Sequence, residues 1–319
     1  MTDIATFGET MLRLSPPRGE RLERTGEFDV RVGGAESNVA VAAARLGCDT
    51  TWLSKLPESA LGRRVTADLR SHGVRPAVAW DGSDAARLGT YYFEHGGDPR
   101  GSDVVYDRRG ASITTATPAE LPIGAIEGAD LFYTSGITPA LSPTLADTTE
   151  ALLTAAQGAG ATTAFDLNYR SKLWDPDAAG AAYTSLFPHV DVLVAAERDV
   201  NACLDREGDA IETANGLVNE FDFRTVVLTR GAHGSIAVHD GEVFEQDAYA
   251  ADTVDPVGSG DAFVGGYLAC RIHGGDVADA LAYGAATASL KRTVDGDVAV
   301  VTADEVESVV ARDVGGISR

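Results

Sequence analysis

The sequence predicts an α/β fold: a doubly wound, mostly parallel sheet with helices on both faces, plus a small antiparallel β-sheet. Short apolar runs alternate with helical stretches along most of the chain. Two segments, residues 10–33 and 87–113, break that rhythm and read as short strands joined by polar turns. Hydrophobic residues make up 44% of 319 residues, enough to bury one large core, so the chain is expected to be a single domain over 1–319.

The elements follow in order. DIATFG opens as a short apolar strand, and AESNVAVAAARLG is a helix that ends at Gly47, a favoured C-cap residue. TTWLSKL is a strand, and ALGRRVTADLRSHG a helix closing at Gly73. DLFYTSG, ATTAFDLN, DVLVAA and TVVLTRG read as further strands, with helices at SPTLADTTEALLTAAQGAG and TANGLVNEFD. DAFVGGYLACRIHG has helical apolar spacing. The two irregular segments are expected to form one small sheet that leaves the main domain from two places, next to a strand end, where it can act as a lid.

Composition excludes several classes. The formal net charge is −22, and 23 of the 26 basic residues are arginine, the lysines being Lys55, Lys172 and Lys291. Nucleic acid is not the expected partner, because phosphate contacts need clustered positive charge. The acidity is spread along the chain, which with the scarcity of lysine reads as solvation for high salt. No apolar run approaches the ~18 residues of a membrane span, and MTDIATFGET has neither the basic nor the apolar region of a signal peptide. Cys48, Cys203 and Cys270 fit no metal spacing, so a reducing, cytoplasmic setting is the expectation. The six histidines show no metal spacing either.

The chemistry concentrates in DPVGSGD, residues 255–261. Gly258 and Gly260 allow close backbone approach, and a Gly-rich loop opening a helix presents free N–H groups to an anion. Asp261 at that junction reads either as an N-cap or as a general base for a hydroxyl attacking a bound phosphate. Walker A is excluded, since no Gly-Lys-Ser/Thr follows, and so is a dinucleotide fingerprint, since the third glycine is missing.

DPVGSGDAF resembles the C-terminal signature of the ribokinase (PfkB) family of sugar kinases, and GGAESNVAVAAARLG, Gly33 to Gly47, resembles its N-terminal signature. The resemblance covers essentially the whole chain. It implies a doubly wound α/β domain with a β-sheet lid, using ATP and Mg²⁺ and allowing for a K⁺ near the anion cradle. It implies that Asp261 is the catalytic base, with Gly258, Ser259 and Gly260 as the anion hole and Asn38 in the substrate site. Asp255 resembles the family's aspartate near the phosphate and cation sites. Thr229, Gly231 and Gly234 resemble the nucleotide-binding turn, with Ala288 on the helix against the adenine. The family's Asn-x-x-Glu metal motif is altered here to AERD, with Ala196 in place of Asn, which leaves Glu197 and Asp199 as metal candidates beside Asp255.

GGAESN, DPVG, SGITPALSP and DLNYRSKLW look like the 2-keto-3-deoxygluconate kinase branch. A keto acid carries a carboxylate, which an arginine fork binds best. Tyr106 and Arg108 share one face of a lid strand, and Arg170 follows a strand end, at the sheet edge where ligands bind. By resemblance Gly34, Tyr91, Tyr106, Arg108 and Arg170 surround the substrate. The expected reaction is ATP-dependent phosphorylation of the terminal hydroxyl of 2-keto-3-deoxygluconate in sugar-acid catabolism. The galactonate epimer, fructose or a nucleoside as acceptor, a non-catalytic sugar sensor, and an oxidoreductase are the rival readings. Apolar Val30, Val32, Tyr92 and Phe93 suit a homo-oligomer that pairs its lids.

Overall fold

The computed structural model describes residues 2–206 and 208–315. The first half runs β1 (Thr2–Phe7), β2 (Met11–Ser15), β3 (Asp29–Gly33), α1 (Ala35–Arg45), β4 (Thr50–Pro57), α2 (Ala60–Ser71), β5 (Arg75–Asp81), β6 (Thr90–Glu94) and β7 (Asp103–Asp107). There follow α3 (Gly124–Glu127), β8 (Ala129–Ser135), α4 (Ile137–Ala140), α5 (Pro143–Ala159), β9 (Thr162–Asp166), α6 (Pro176–Leu186), β10 (Val192–Ala196) and α7 (Glu197–Leu204). The rest is α8 (Ala210–Phe221), β11 (Thr225–Thr229), β12 (Ser235–His239), β13 (Glu242–Gln246), α9 (Ser259–Ile272), α10 (Val277–Lys291) and α11 (Ala303–Gly315). No helix among the described residues is long and apolar enough to cross a membrane.

The main sheet has nine strands in the order β13-β12-β11-β10-β9-β8-β1-β4-β5. All pairs from β11 to β5 are parallel, and β12 and β13 add an antiparallel edge. Both faces are covered, so the central strands are apolar on both sides and show little alternation with polar residues. Ile4, Leu131, Tyr133, Val192 and Val194 pack under α1, α9 and α10, whereas Ala5, Phe7, Phe132, Leu193 and Ala195 pack under α5, α6 and α8. The strand order reverses between β1 and β8, a switch point that leaves a crevice at the carboxyl ends of the strands.

Local sequence sets the helix ends. Ser142 caps α5 through the Leu145 N–H at 3.1 Å, with Pro143 at the first helical position. Asp209 caps α8 through the N–H groups of Ile211 and Glu212. β9 stops at Asp166, short of the Asn168 expected from the sequence, because the chain turns there with Asn168 at φ +38°.

The second sheet has four strands in the order β3-β2-β6-β7, drawn from the two segments that broke the rhythm. It is antiparallel within each segment, but β2 and β6 run parallel where the segments meet. That follows from geometry, since both leave the main domain in the same direction. Of the apolar residues expected on its outer face, Val32 and Phe93 are buried inside the chain at 3% exposure each, which leaves Val30 and Tyr92, with Phe28 edge-on to Tyr92 at 5.8 Å. A dimer face built from all four residues is therefore not available.

Candidate active site

The two signature segments meet through packing of α1 against α9. Asn38, on α1, donates from Nδ2 to Asp261 Oδ2 at 2.7 Å, bridging 223 residues of sequence, and its Oδ1 accepts from the Gly34 N–H at 3.4 Å. Both helices begin at the crevice. Gly258 occupies the cap position of α9 at φ +77°, with no side-chain cap, so Asp261 is the third residue of the helix and the N-cap reading does not hold. The N–H groups of Gly260 and Asp261 have no intrahelical acceptor in this first turn. A side chain at Gly258 would collide with the Asp297 carbonyl oxygen, and one at Gly34 with the Glu9 carbonyl oxygen. Close approach therefore requires glycine at both places.

These helix starts open into a cavity of about 920 Å³, toward the upper end of the ~300–1,000 Å³ usual for small-molecule sites. Gly34, Asn38, Asp261, Gly258, Ser259 and Gly260 line its centre. Tyr91, Tyr106 and Arg108 cover it from the small sheet, and Arg170 enters from the loop after β9. Thr229, Gly231 and Gly234 form the far wall with Ala288 of α10, and Glu197 and Asp199 flank them at the start of α7. Tyr91 is buried and faces the cavity while Tyr92 faces away, as alternation along β6 requires.

Asp255 lies behind this lining, next to Pro256 and Val257, which face the cavity. Asp255 is fully buried and does not line the cavity. Its Oδ2 accepts from Arg13 Nη2 at 2.8 Å and from the Gly296 N–H at 3.2 Å, and its Oδ1 from the Val257 N–H at 3.0 Å. Burial pushes this carboxyl up, but Arg13, the Val257 N–H and Lys291 together pull it below the usual range. These contacts shape the turn that ends at Gly258, and Asp255 also lies with His95 and Asp295 in a group whose ligand atoms are all within 4.8 Å of one another.

Four acidic residues of the cavity wall were not anticipated from the sequence. Glu36 sits at the switch point, where its Oε1 accepts from Ser135 Oγ at 2.7 Å and Thr138 Oγ1 at 2.8 Å. SGITPALSP thus supplies the hydroxyls that hold this carboxylate. Burial pushes Glu36 up to about 7, Asp166 to about 8 and Asp261 to about 6, and the Asp261 charge adds to the first two. Asn38 and Arg170 act the other way on Asp261. Glu9 pairs with Arg108, and Asp297 accepts from the Tyr91 hydroxyl. Arg108 therefore reaches the cavity with part of its charge already answered, whereas Arg170 makes no ion pair among the described residues.

Asp166, Glu197 and Asp199 offer hard oxygen donors on the cavity wall. Asp199 accepts from the Tyr169 N–H at 3.3 Å and pairs with Arg198 at 3.4 Å, while Glu197 has no side-chain partner among the described residues. This donor set suits a magnesium ion.

A buried carboxylate beside unpaired helix-start N–H groups, in a cavity with room for two ligands, is built for moving a phosphoryl group onto a hydroxyl. Comparison with known proteins agrees. The model of the pfkB family carbohydrate kinases matches residues 1–303. A Haloferax volcanii protein named 2-dehydro-3-deoxygalactonokinase is 60% identical over 317 residues, covering 99% of each chain. A Thermoproteus tenax 2-dehydro-3-deoxygluconokinase is 30% identical, covering 93% of this chain and 90% of its own. The crystal structure of a Thermotoga maritima 2-dehydro-3-deoxygluconokinase superposes with a TM-score of 0.92 at 33% identity, covering 97% of this chain and 98% of that one. Fold, cavity and relatives agree that the chain belongs to the pfkB family of carbohydrate kinases, phosphotransferases with an alcohol acceptor.

Proposed function

We propose that the protein transfers the γ-phosphoryl group of ATP to the terminal hydroxyl of a 2-keto-3-deoxy sugar acid. The carrying observation is the arrangement around Asp261: a carboxylate held by Asn38, the open first turn of α9, and the guanidinium of Arg170, which makes no ion pair among the described residues, share one cavity. Asp261 accepts the proton of the acceptor hydroxyl as that oxygen attacks. A value near 6 leaves it ionised at neutral pH yet basic enough to take a proton. The N–H groups of Gly260 and Asp261 stabilise charge on the transferring phosphoryl oxygens. Tyr91, Tyr106 and Arg108 close over the acceptor as a lid, and Arg170 answers its carboxylate. Glu197, Asp199 and Asp166 are the residues that would hold Mg²⁺, which would supply charge neutralisation for the nucleotide phosphates.

The name of the Haloferax volcanii relative favours the galactonate epimer as acceptor. The gluconate epimer, expected from the sequence motifs, stands second, supported by the names of the Thermoproteus tenax and Thermotoga maritima proteins. The two acids differ at one hydroxyl-bearing carbon. ADP release measured with both acids, fructose and a nucleoside tests this reading, and preference for a neutral sugar would sink the carboxylate argument. Arg170→Ala is expected to raise KM for the keto acid by roughly ten- to hundredfold, the worth of a charge-assisted hydrogen bond, while KM for ATP changes little. Arg108→Ala should act in the same direction but less, because Glu9 already holds that guanidinium. Equal effects on both substrates would remove the clamp.

A further inference from the structure

Behind the anion cradle lies a second layer of charge that the reaction does not touch. Lys291, the last residue of α10, is fully buried. Its Nζ donates to the backbone carbonyl oxygen of Asp255 at 2.9 Å. The end of the same helix also takes the N–H groups of Val254 and Asp255 on the Arg292 carbonyl oxygen, at 2.8 and 3.1 Å. Asp255 is thus gripped from α10 on one side and by Arg13 on the other, and its own Oδ1 orders the turn through the Val257 N–H. Three residues past Asp255 comes Gly258, the cap of α9 and the start of the cradle.

Family resemblance puts a monovalent cation near this turn, and the residues here do not fit one. Every oxygen of Asp255 is engaged: the carbonyl by Lys291, Oδ1 by Val257, Oδ2 by Arg13 and Gly296. A mobile cation would meet two fixed positive charges, Arg13 and Lys291, on a residue each of whose oxygens already accepts a hydrogen bond. The choice of lysine supports the same view. Only three of the 26 basic residues are lysine, yet one of them is this fully buried group. An ammonium is a compact point charge that fits against a single carbonyl, where a planar guanidinium fork would not. Its place at the end of α10 also sets it on the negative end of that helix dipole.

We propose that Lys291 is a positioning residue whose tethered ammonium holds the Asp255–Gly258 turn in the role a bound monovalent cation would otherwise fill, so that turnover does not depend on K⁺. The kinetic arm rests on the phosphoryl-transfer reading of the site, and the binding arm does not. In the binding arm, melting temperature of the substrate-free protein is followed against KCl, ammonium chloride and tetramethylammonium chloride at matched ionic strength. The wild type should give superimposable titrations. Lys291→Ala, which empties the ammonium's place, should show an added saturable rise with K⁺ and ammonium only. In the kinetic arm, Lys291→Ala should lose about ten- to hundredfold in kcat, and K⁺ or ammonium should restore part of it. Lys291→Met, which fills the space without charge, should lose turnover and not be rescued. A saturable, K⁺-specific rise of Tm or kcat in the wild type would overturn the proposal, even if Lys291→Ala does not fold. So would wild-type kcat in Lys291→Ala, or a loss that neither cation relieves. If no sugar acid is turned over, the substrate reading fails while the melting titrations still judge Lys291.

Discussion

Two opposing influences act on Asp261. Burial raises its proton affinity, while the Asn38 amide and the Arg170 charge lower it, and the balance lies at about 6. Asp261→Asn keeps the shape and the cradle but removes the proton acceptor. It should lower kcat by roughly 10²–10⁴ with ATP binding nearly intact, and a kcat within tenfold of wild type would reduce Asp261 to a helix-start residue. The same balance fixes a pH dependence. The proposed base must be ionised, so kcat/KM of the wild type should fall on the acid side with an apparent midpoint near 6. Removing the Asn38 hydrogen bond removes a lowering influence, so the acid limb of Asn38→Ala should move to higher pH. A limb that stays in place would separate it from Asp261. These residues were legible in the sequence because each sits inside a short motif whose spacing carries the chemistry. Glu36, Asp166 and Asp297 were not, since their surroundings arise from strand order and from contacts between distant segments, 99 residues apart for Glu36 with Ser135 and 206 for Tyr91 with Asp297. Asp255 was picked out as a residue, but its burial behind the cavity lining and its bond to Arg13 were not legible, because a motif does not tell which way a carboxylate turns.

Among the elements, the small sheet, the proposed lid, is tied to the main domain through buried charge. Arg13 on β2 is buried at 2% exposure and bridges Asp255 at 2.8 Å and Asp297 at 2.7 Å, with its guanidinium 4.2 Å from the Phe93 ring centre. Tyr91 on β6 donates to the same Asp297, whose backbone abuts Gly258. Lys172 adds a tie from the main domain to the Val104 carbonyl oxygen on β7 at 2.7 Å. The small sheet and the start of α9 therefore share one buried charge cluster. Arg13→Met leaves two buried carboxylates without their partner and should cost about 3–5 kcal/mol of stability, measured by urea unfolding. A loss under about 1 kcal/mol, the worth of an exposed pair, would show that the cluster relaxes without it. The helices bounded by a capping side chain or a closing glycine were readable from the sequence, as were the buried apolar strands. Edge strand β5 is only half-buried and lacks a clear apolar signal. The parallel meeting of β2 and β6 is a long-range pairing that no local pattern encodes.

For the whole molecule, the net charge of −22 governs how the fold responds to solvent. Folding brings those charges together, so self-repulsion opposes the compact state. The effect is long-ranged at low ionic strength, where the Debye length is ~30 Å at 0.01 M, and is confined to near neighbours at ~3 Å in 1 M salt. Buried Arg13 does not offset it, since it is already paired with Asp255 and Asp297. The surplus is therefore carried by the surface, where screening is most effective. Melting temperature should rise with salt, with KCl and tetramethylammonium chloride alike, because screening depends on ionic strength and not on the fit of an ion. The rise should be steepest at low salt and flatten as the Debye length falls below the spacing of neighbouring surface carboxylates. A melting temperature that stays level from about 0.05 to about 2 M salt, a range over which the screening length changes severalfold, would mean that the acidic surface does not limit stability and that the composition is not an adaptation to salt.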